Sequence, residues 1–208
     1  MRTSRLEAFS DGVLAIIITI MVLELRVPAS EGTAGATFGD LRDAHLLPVL
    51  LSYVLSFVYI AIYWNNHHHL MFVAGNVNGG VLWANMFLLF WLSLVPFVTS
   101  WMGENAFDAA PAAGYGFVLL MAGFAYYVLA QSIIRSEGER SLLAEAIGKD
   151  RKGIVSLVVY AVAIPAAFLQ TWISYALYAL VAAMWLVPDR RITRAVLAHQ
   201  GLVPDPSD

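Results

Sequence analysis

The sequence contains no cysteine. That excludes a disulfide framework and a thiolate metal site, and it leaves the redox compartment undetermined. Charge is nearly as scarce: 13% of the 208 residues are Asp, Glu, Lys or Arg, about half the share of a soluble domain. The formal net charge is only −3, and the basic residues are spread out instead of gathered in a patch, so no nucleic-acid partner is expected. Several functional signatures are also missing. There is no TVGYG filter, no arginine-rich voltage-sensing helix and no Walker A loop. There is no nucleophile elbow either, and no pair of carboxylates facing a histidine pair within the apolar runs. No catalytic residue is assigned, and an enzyme is not expected. Ion-coupled transporters and intramembrane enzymes need more ionisable groups inside their helices than this chain offers. Passive conduction needs none.

What is present is apolar. The chain is 60% hydrophobic with a mean hydropathy of +0.70, which reads as an all-α integral membrane protein. A helix needs about 20 mostly apolar residues to cross the hydrocarbon. Six stretches qualify: Glu7–Val27, Leu46–Phe72, Val77–Trp101, Ala112–Ile134, Gly153–Leu169 and Thr171–Val187. The last two are short and meet at Gln170, so a tight hairpin is expected, because one helix of that length overshoots the bilayer. The first stretch lacks a small-residue cleavage site and leads into further spans, so it reads as a retained helix and not a signal peptide. No motif recurs, which gives one six-helix domain over 1–188 and a polar C-terminal tail over 189–208.

Positive charge orients the chain. With six spans, one side collects Arg2, Arg5, Arg135, Arg140, Lys149, Arg151, Lys152, Arg190, Arg191 and Arg194, and the other keeps only Arg26 and Arg42. Both termini are therefore expected in the cytoplasm, in a multi-pass protein of the cell membrane. "PASEGTAGATFGD" reads as an irregular outer loop, and Ser141–Ile147 as a short amphipathic helix in the longest inner connection. Trp83, Trp101 and Trp172 fall near helix ends, as interfacial aromatics do. Pro96 predicts a kink in the third span, with Thr99 and Ser100 nearby to compensate, and Pro165 plays a similar part in the fifth.

The first span keeps polar groups inside its apolar run. Steps of three and four place Gly12, Ile16, Thr19, Leu23 and Arg26 on one helical stripe. Two readings compete for it. One is a helix-packing seam in which Thr19 bonds its own backbone. The other is a pore lining, several copies of the helix around an axis, with Ile16 and Leu23 as constrictions and Thr19 as a hydroxyl ring. Asp11 is a costly carboxylate that must pair or line a cavity. Antiparallel topology puts it level with "YWNNHHHLM", so Trp64, Asn65, Asn66, His67, His68 and His69 are candidate partners, with Arg5 also near. A structural clamp and an ion-access or proton-sensing group are both open for it. Three consecutive histidines point about 100° apart on a helix and cannot chelate one ion, so no metal site is expected.

These residues resemble a known family. "RLEAFSDGVLAIIITIMVLEL" is similar to the first helix of the transmembrane protein 175 family of potassium channels, whose signature is Arg, three residues, then Phe-Ser-Asp. Here that is Arg5, Phe9, Ser10 and Asp11. "SYVLSFVYIAIYWNNHHHLM" resembles the family's Ser-Phe, Trp and His-His pattern, and "NMFLLFWLSLVPF" its Asn and Pro-Phe pattern. The resemblance implies a potassium-selective leak channel without a carbonyl filter. Bacterial members carry one six-helix repeat and form homotetramers, in which four first helices line the pore. Alignment on Phe-Ser-Asp puts the apolar constriction on Ile16, the hydroxyl layer on Thr19 and an outer apolar layer on Leu23, with Ile20 as an additional layer. Arg5, Phe9, Ser10 and Asp11, with Trp64, His67 and His68, then hold the helix in register. Ala15 departs from members that carry a small hydroxyl at this position. Beyond bilayer, second copies and permeant potassium, no cofactor or partner is implied. The rivals are a proton-permeable or pH-modulated cation channel, a secondary transporter and a non-conducting assembly protein.

Overall fold

A computed structural model of the chain describes residues 3–25, 46–74, 77–105, 108–137 and 151–186. The outer loop after the first span, the expected helix at Ser141–Ile147 and the C-terminal tail lie outside these residues, as do Arg26 and Arg42. The described residues form helices and the turns between them: α1 Thr3–Leu23, α2 Leu46–Val73, α3 Gly79–Ser93, α4 Val95–Glu104, α5 Ala109–Glu137, α6 Arg151–Leu169 and α7 Thr171–Leu186. Five stretches are long and apolar enough to cross a membrane: Thr3–Leu23, Leu46–Phe72, Gly79–Glu104, Ala109–Ser136 and Arg151–Leu169. The protein is thus an all-α, multi-pass membrane protein. The expected sixth span, α7, has 16 residues; at 1.5 Å per residue it covers about 24 Å, short of a hydrocarbon core of about 30 Å.

The helix boundaries have local causes. α1 begins a turn before the expected Glu7, and Thr3 Oγ1 donates to the Ala74 carbonyl at 3.2 Å, which ties the start of α1 to the end of α2. Asn78 caps α3, its side-chain oxygen accepting from the Val81 N–H at 3.0 Å. The third expected span is broken at Leu94, because Pro96 at the start of α4 cannot donate into the preceding turn. Neither of the two hydroxyls expected to compensate there bonds the Leu92 carbonyl, the one that Pro96 leaves without its donor one turn on. Thr99 Oγ1 lies 2.6 Å from the Val95 carbonyl, whereas Ser100 turns away from the backbone to Glu24. Pro165 differs again: α6 runs through it unbroken, and the helix ends only at Leu169.

α6 and α7 form the expected hairpin. Lys152 Nζ reaches the Met184 carbonyl at 3.4 Å, Trp185 Nε1 donates to Ser156 Oγ at 2.9 Å and Ser174 Oγ to the Ala163 carbonyl at 2.7 Å. The start of α6 thus meets the end of α7, and Ala163 further along α6 meets Ser174 near the start of α7, which is the signature of an antiparallel pair turning at Gln170. The core between these helices, α2 and α5 is built on tyrosines. Tyr59 donates to the Tyr178 carbonyl at 2.7 Å, and Tyr178 donates to the Ala112 carbonyl at 3.0 Å. Tyr115 Oη lies 3.0 Å from Ser56 Oγ. Each ring fills space and each hydroxyl finds a partner, as a polar group away from water must. Gly116 makes this possible, since a Cβ there would overlap the Tyr178 hydroxyl.

Candidate pore helix and its anchor

Helix α1 has two opposite faces. Leu6, Ser10, Leu14, Ile17 and Met21 recur at steps of three and four and are all buried. Gly12, Ile16, Thr19 and Leu23 lie on the other side, and all four are exposed. Leu23 is 76% and Ile16 58% exposed; these fractions count against a packing seam within the chain, since fully packed side chains would be near zero. Ile20 is exposed beside them. It opens with Ile16 onto a groove of about 540 Å³ between α1 and the α3–α4 break, which Pro96, Phe97, Glu24 and Ser100 also line.

Thr19 combines a feature of each earlier reading. Its hydroxyl donates to the Ile16 carbonyl at 2.9 Å, as the packing reading anticipated, yet the side chain remains exposed. A hydroxyl that spends its proton on its own backbone turns its lone pairs outward. Such an oxygen accepts; it is suited to a cation or to a water held by one.

The buried face is locked by a polar chain across three helices. Ser10 Oγ donates to the Leu6 carbonyl at 2.9 Å and accepts from Asn85 Nδ2 of α3 at 3.0 Å. Asn85 Oδ1 lies 2.7 Å from His67 Nε2 of α2. Because that amide oxygen can only accept, the imidazole proton is placed on Nε2. All three side chains are buried. In a membrane interior no water is available to replace these partners. The chain therefore fixes rotation and depth of α1 at once.

A second, exposed clasp lies at the same level of α1, one residue round from the first. Trp64 Nε1 donates to Asp11 Oδ1 at 3.0 Å, and His68 Nδ1 meets Glu7 Oε1 at 2.9 Å. Trp64 and His68 stack with their ring centroids 6.1 Å apart. Of the candidate partners for Asp11, Trp64 is the one the structure joins to it. Asn66 instead bonds the Ile62 carbonyl of its own helix, His67 goes to Asn85 and His68 to Glu7. His69 lies against His68, ring centroids 5.9 Å apart. Arg5 and Phe9 stand exposed. The three histidines thus leave α2 toward different neighbours, as helical geometry requires. Glu7 was not singled out from sequence, although it precedes Asp11 by one turn and so shares its face.

These observations define a class: a multi-pass membrane protein whose first helix is anchored by polar bonds on one face and left bare and apolar on the other. Comparison with known proteins refines it. The family model described as endosomal/lysosomal potassium channel TMEM175 matches residues 5–96, from the arginine of the first helix to Pro96. A potassium channel of Chryseobacterium sp. (strain P1-3) is 50% identical over 196 residues, 94% of this chain and 98% of that protein. A potassium channel of Streptomyces collinus is 32% identical over 135 residues, covering 61% of this chain and 62% of that one. The endosomal/lysosomal proton channel TMEM175 of Gallus gallus is 39% identical over 71 residues, 32% of this chain and 14% of its own length. Among solved structures, the crystal structure of a lysosomal potassium-selective channel TMEM175 homolog from Chamaesiphon minutus matches with a TM-score of 0.71 and 26% identity. That match covers 91% of this chain and 97% of that chain. The chain belongs to the TMEM175 potassium-channel family, as a bacterial member. The family is one of channels, not of enzymes.

Proposed function

We propose that this chain is a potassium-selective leak channel of a bacterial plasma membrane, conducting passively through a pore lined by four copies of α1. Six crossings, with α7 completing the last, keep both ends of the described chain on the cytoplasmic side; Arg5, Arg135, Arg151 and Lys152 favour that side. The observation that carries the reading is the bare stripe of α1. A helix anchored so firmly on one face, yet leaving Ile16, Thr19, Ile20 and Leu23 uncovered, offers those residues to an axis shared with other copies. Rings of Ile16, Ile20 and Leu23 form the constriction. An aliphatic ring cannot replace an ion's hydration shell, but a narrow one excludes water and gates by dewetting. Potassium sheds its shell at lower cost than sodium, and four outward-facing Thr19 oxygens lower the remaining barrier.

The test is reconstitution into potassium-loaded liposomes, followed by Thr19→Ala. Wild-type protein carries potassium current, and Thr19→Ala lowers the potassium-to-sodium permeability ratio. An unchanged ratio in normally expressed protein removes the hydroxyl layer. A second reading, proton permeation, is favoured by the relative from Gallus gallus, which is named as a proton channel, and by the Glu7–His68 pair close to Asp11. Reversal potentials separate the two: they follow the potassium gradient in a potassium channel and the pH gradient in a proton channel.

A further inference from the structure

Glu24 follows α1 directly, its backbone N–H reaching the Met21 carbonyl at 3.3 Å. A carboxylate at a helix C-terminus sits beside the negative end of the helix dipole and is disfavoured there. No cation offsets it among the described residues: Ser100 Oγ of α4 donates to Glu24 Oε2 at 2.9 Å, a neutral hydroxyl that holds the carboxylate without neutralising it. The position of that hydroxyl is set by the α3–α4 break, since Ser100 lies one turn after Pro96. Glu24 and Ser100 both line the groove onto which Ile16 and Ile20 open. At about 100° per residue, Glu24 lies roughly a quarter turn from Leu23. It stands beside the stripe and not on it. A charge so placed does not touch a permeating ion; it acts through its field, added to that of the helix end.

We propose that Glu24, held by Ser100, raises the cation concentration at the outer mouth of the pore and so sets the channel's conductance at low salt. The inference rests on α1 being the pore helix. Its physical signature is ionic strength, because the Debye length is roughly 30 Å at 0.01 M salt and about 3 Å at 1 M. Charged rims that focus ions lose their effect as salt screens them. Selectivity, which belongs to Thr19, is not expected to move.

The experiment is single-channel recording of the reconstituted protein in symmetric potassium at both concentrations. Arg26, two positions on in the sequence, is kept in every variant so that only the carboxylate changes. Glu24→Gln preserves shape and a bond to Ser100 but removes the charge. It is expected to lower inward unitary conductance roughly threefold or more near 0.01 M and to converge on wild type near 1 M. Ser100→Ala retains the charge and is expected to keep most of the low-salt conductance. Equal ratios at the two concentrations, or no change in Glu24→Gln, overturn the proposal. It also fails if Ser100→Ala reproduces the Glu24→Gln loss at both, since the bond and not the charge then matters. Failure of the pore reading looks different: Thr19→Ala and Leu23→Ala then leave permeation unaltered as well. The inference alone fails when those two variants alter permeation and Glu24→Gln does not.

Discussion

Asn85 carries more of the anchor than any other single side chain. Its amide joins Ser10 of α1 to His67 of α2, donating to one and accepting from the other. Asn85→Ala leaves the buried His67 imidazole N–H unpaired and removes the donor to Ser10 Oγ, which keeps its own bond to the Leu6 carbonyl, a cost of about 1–3 kcal/mol. A lowered melting temperature in detergent is the expected result, and an unchanged one would show that water or a rearranged side chain takes its place. Trp64→Phe contrasts with it. The bond to Asp11 lies at the surface of the single chain, so its loss should lower the melting temperature less than Asn85→Ala does. At this scale the sequence was legible unevenly. Asp11, Trp64, His67 and His68 stood out as polar groups in apolar surroundings, but which pairs with which depends on the rotation of α1 against α2. Periodicity fixes faces within a helix, not the phase between two helices.

At the scale of the element, α1 is a helix with an anchored face and an open one. Ile16→Ala or Leu23→Ala should raise current by widening a dry constriction; unaltered conductance in both would mean that α1 does not line the pore. The absence of cysteine permits a cleaner version. A single cysteine introduced as Leu23→Cys should make the current sensitive to block by a charged thiol reagent. The same substitution at Leu47, 66% exposed on α2, should not. Block at both positions, or at neither, would argue against the open face of α1 as the pore lining. The kinked element behaves differently from its sequence reading. Pro96 predicts a bend, yet only the tertiary contact of Ser100 with Glu24 reveals that the second half of the break braces the end of α1.

At the scale of the whole molecule, helices pack by close approach as much as by side-chain volume. A Cβ on Gly103 would lie 2.9 Å from Val49 Cα, so α2 and α4 meet almost backbone to backbone, as small residues allow in membranes. Gly116→Ala would displace the Tyr178 hydroxyl from the Ala112 carbonyl and overpack the tyrosine core, at a cost of about 1–3 kcal/mol. Thermal melting should register that loss; a stable Gly116→Ala variant would show that Tyr178 can move without harm. The sequence by itself determined that the chain is an all-helical membrane protein, where most of its spans lie, and which residues of α1 share a face. Those properties follow from hydropathy, length and helical period, all of which are local. Only the tertiary structure decided which face of α1 is spent on the anchor and which is left bare. That choice is made by Asn85, Trp64 and His67, which come from other helices, and no local property of α1 contains it.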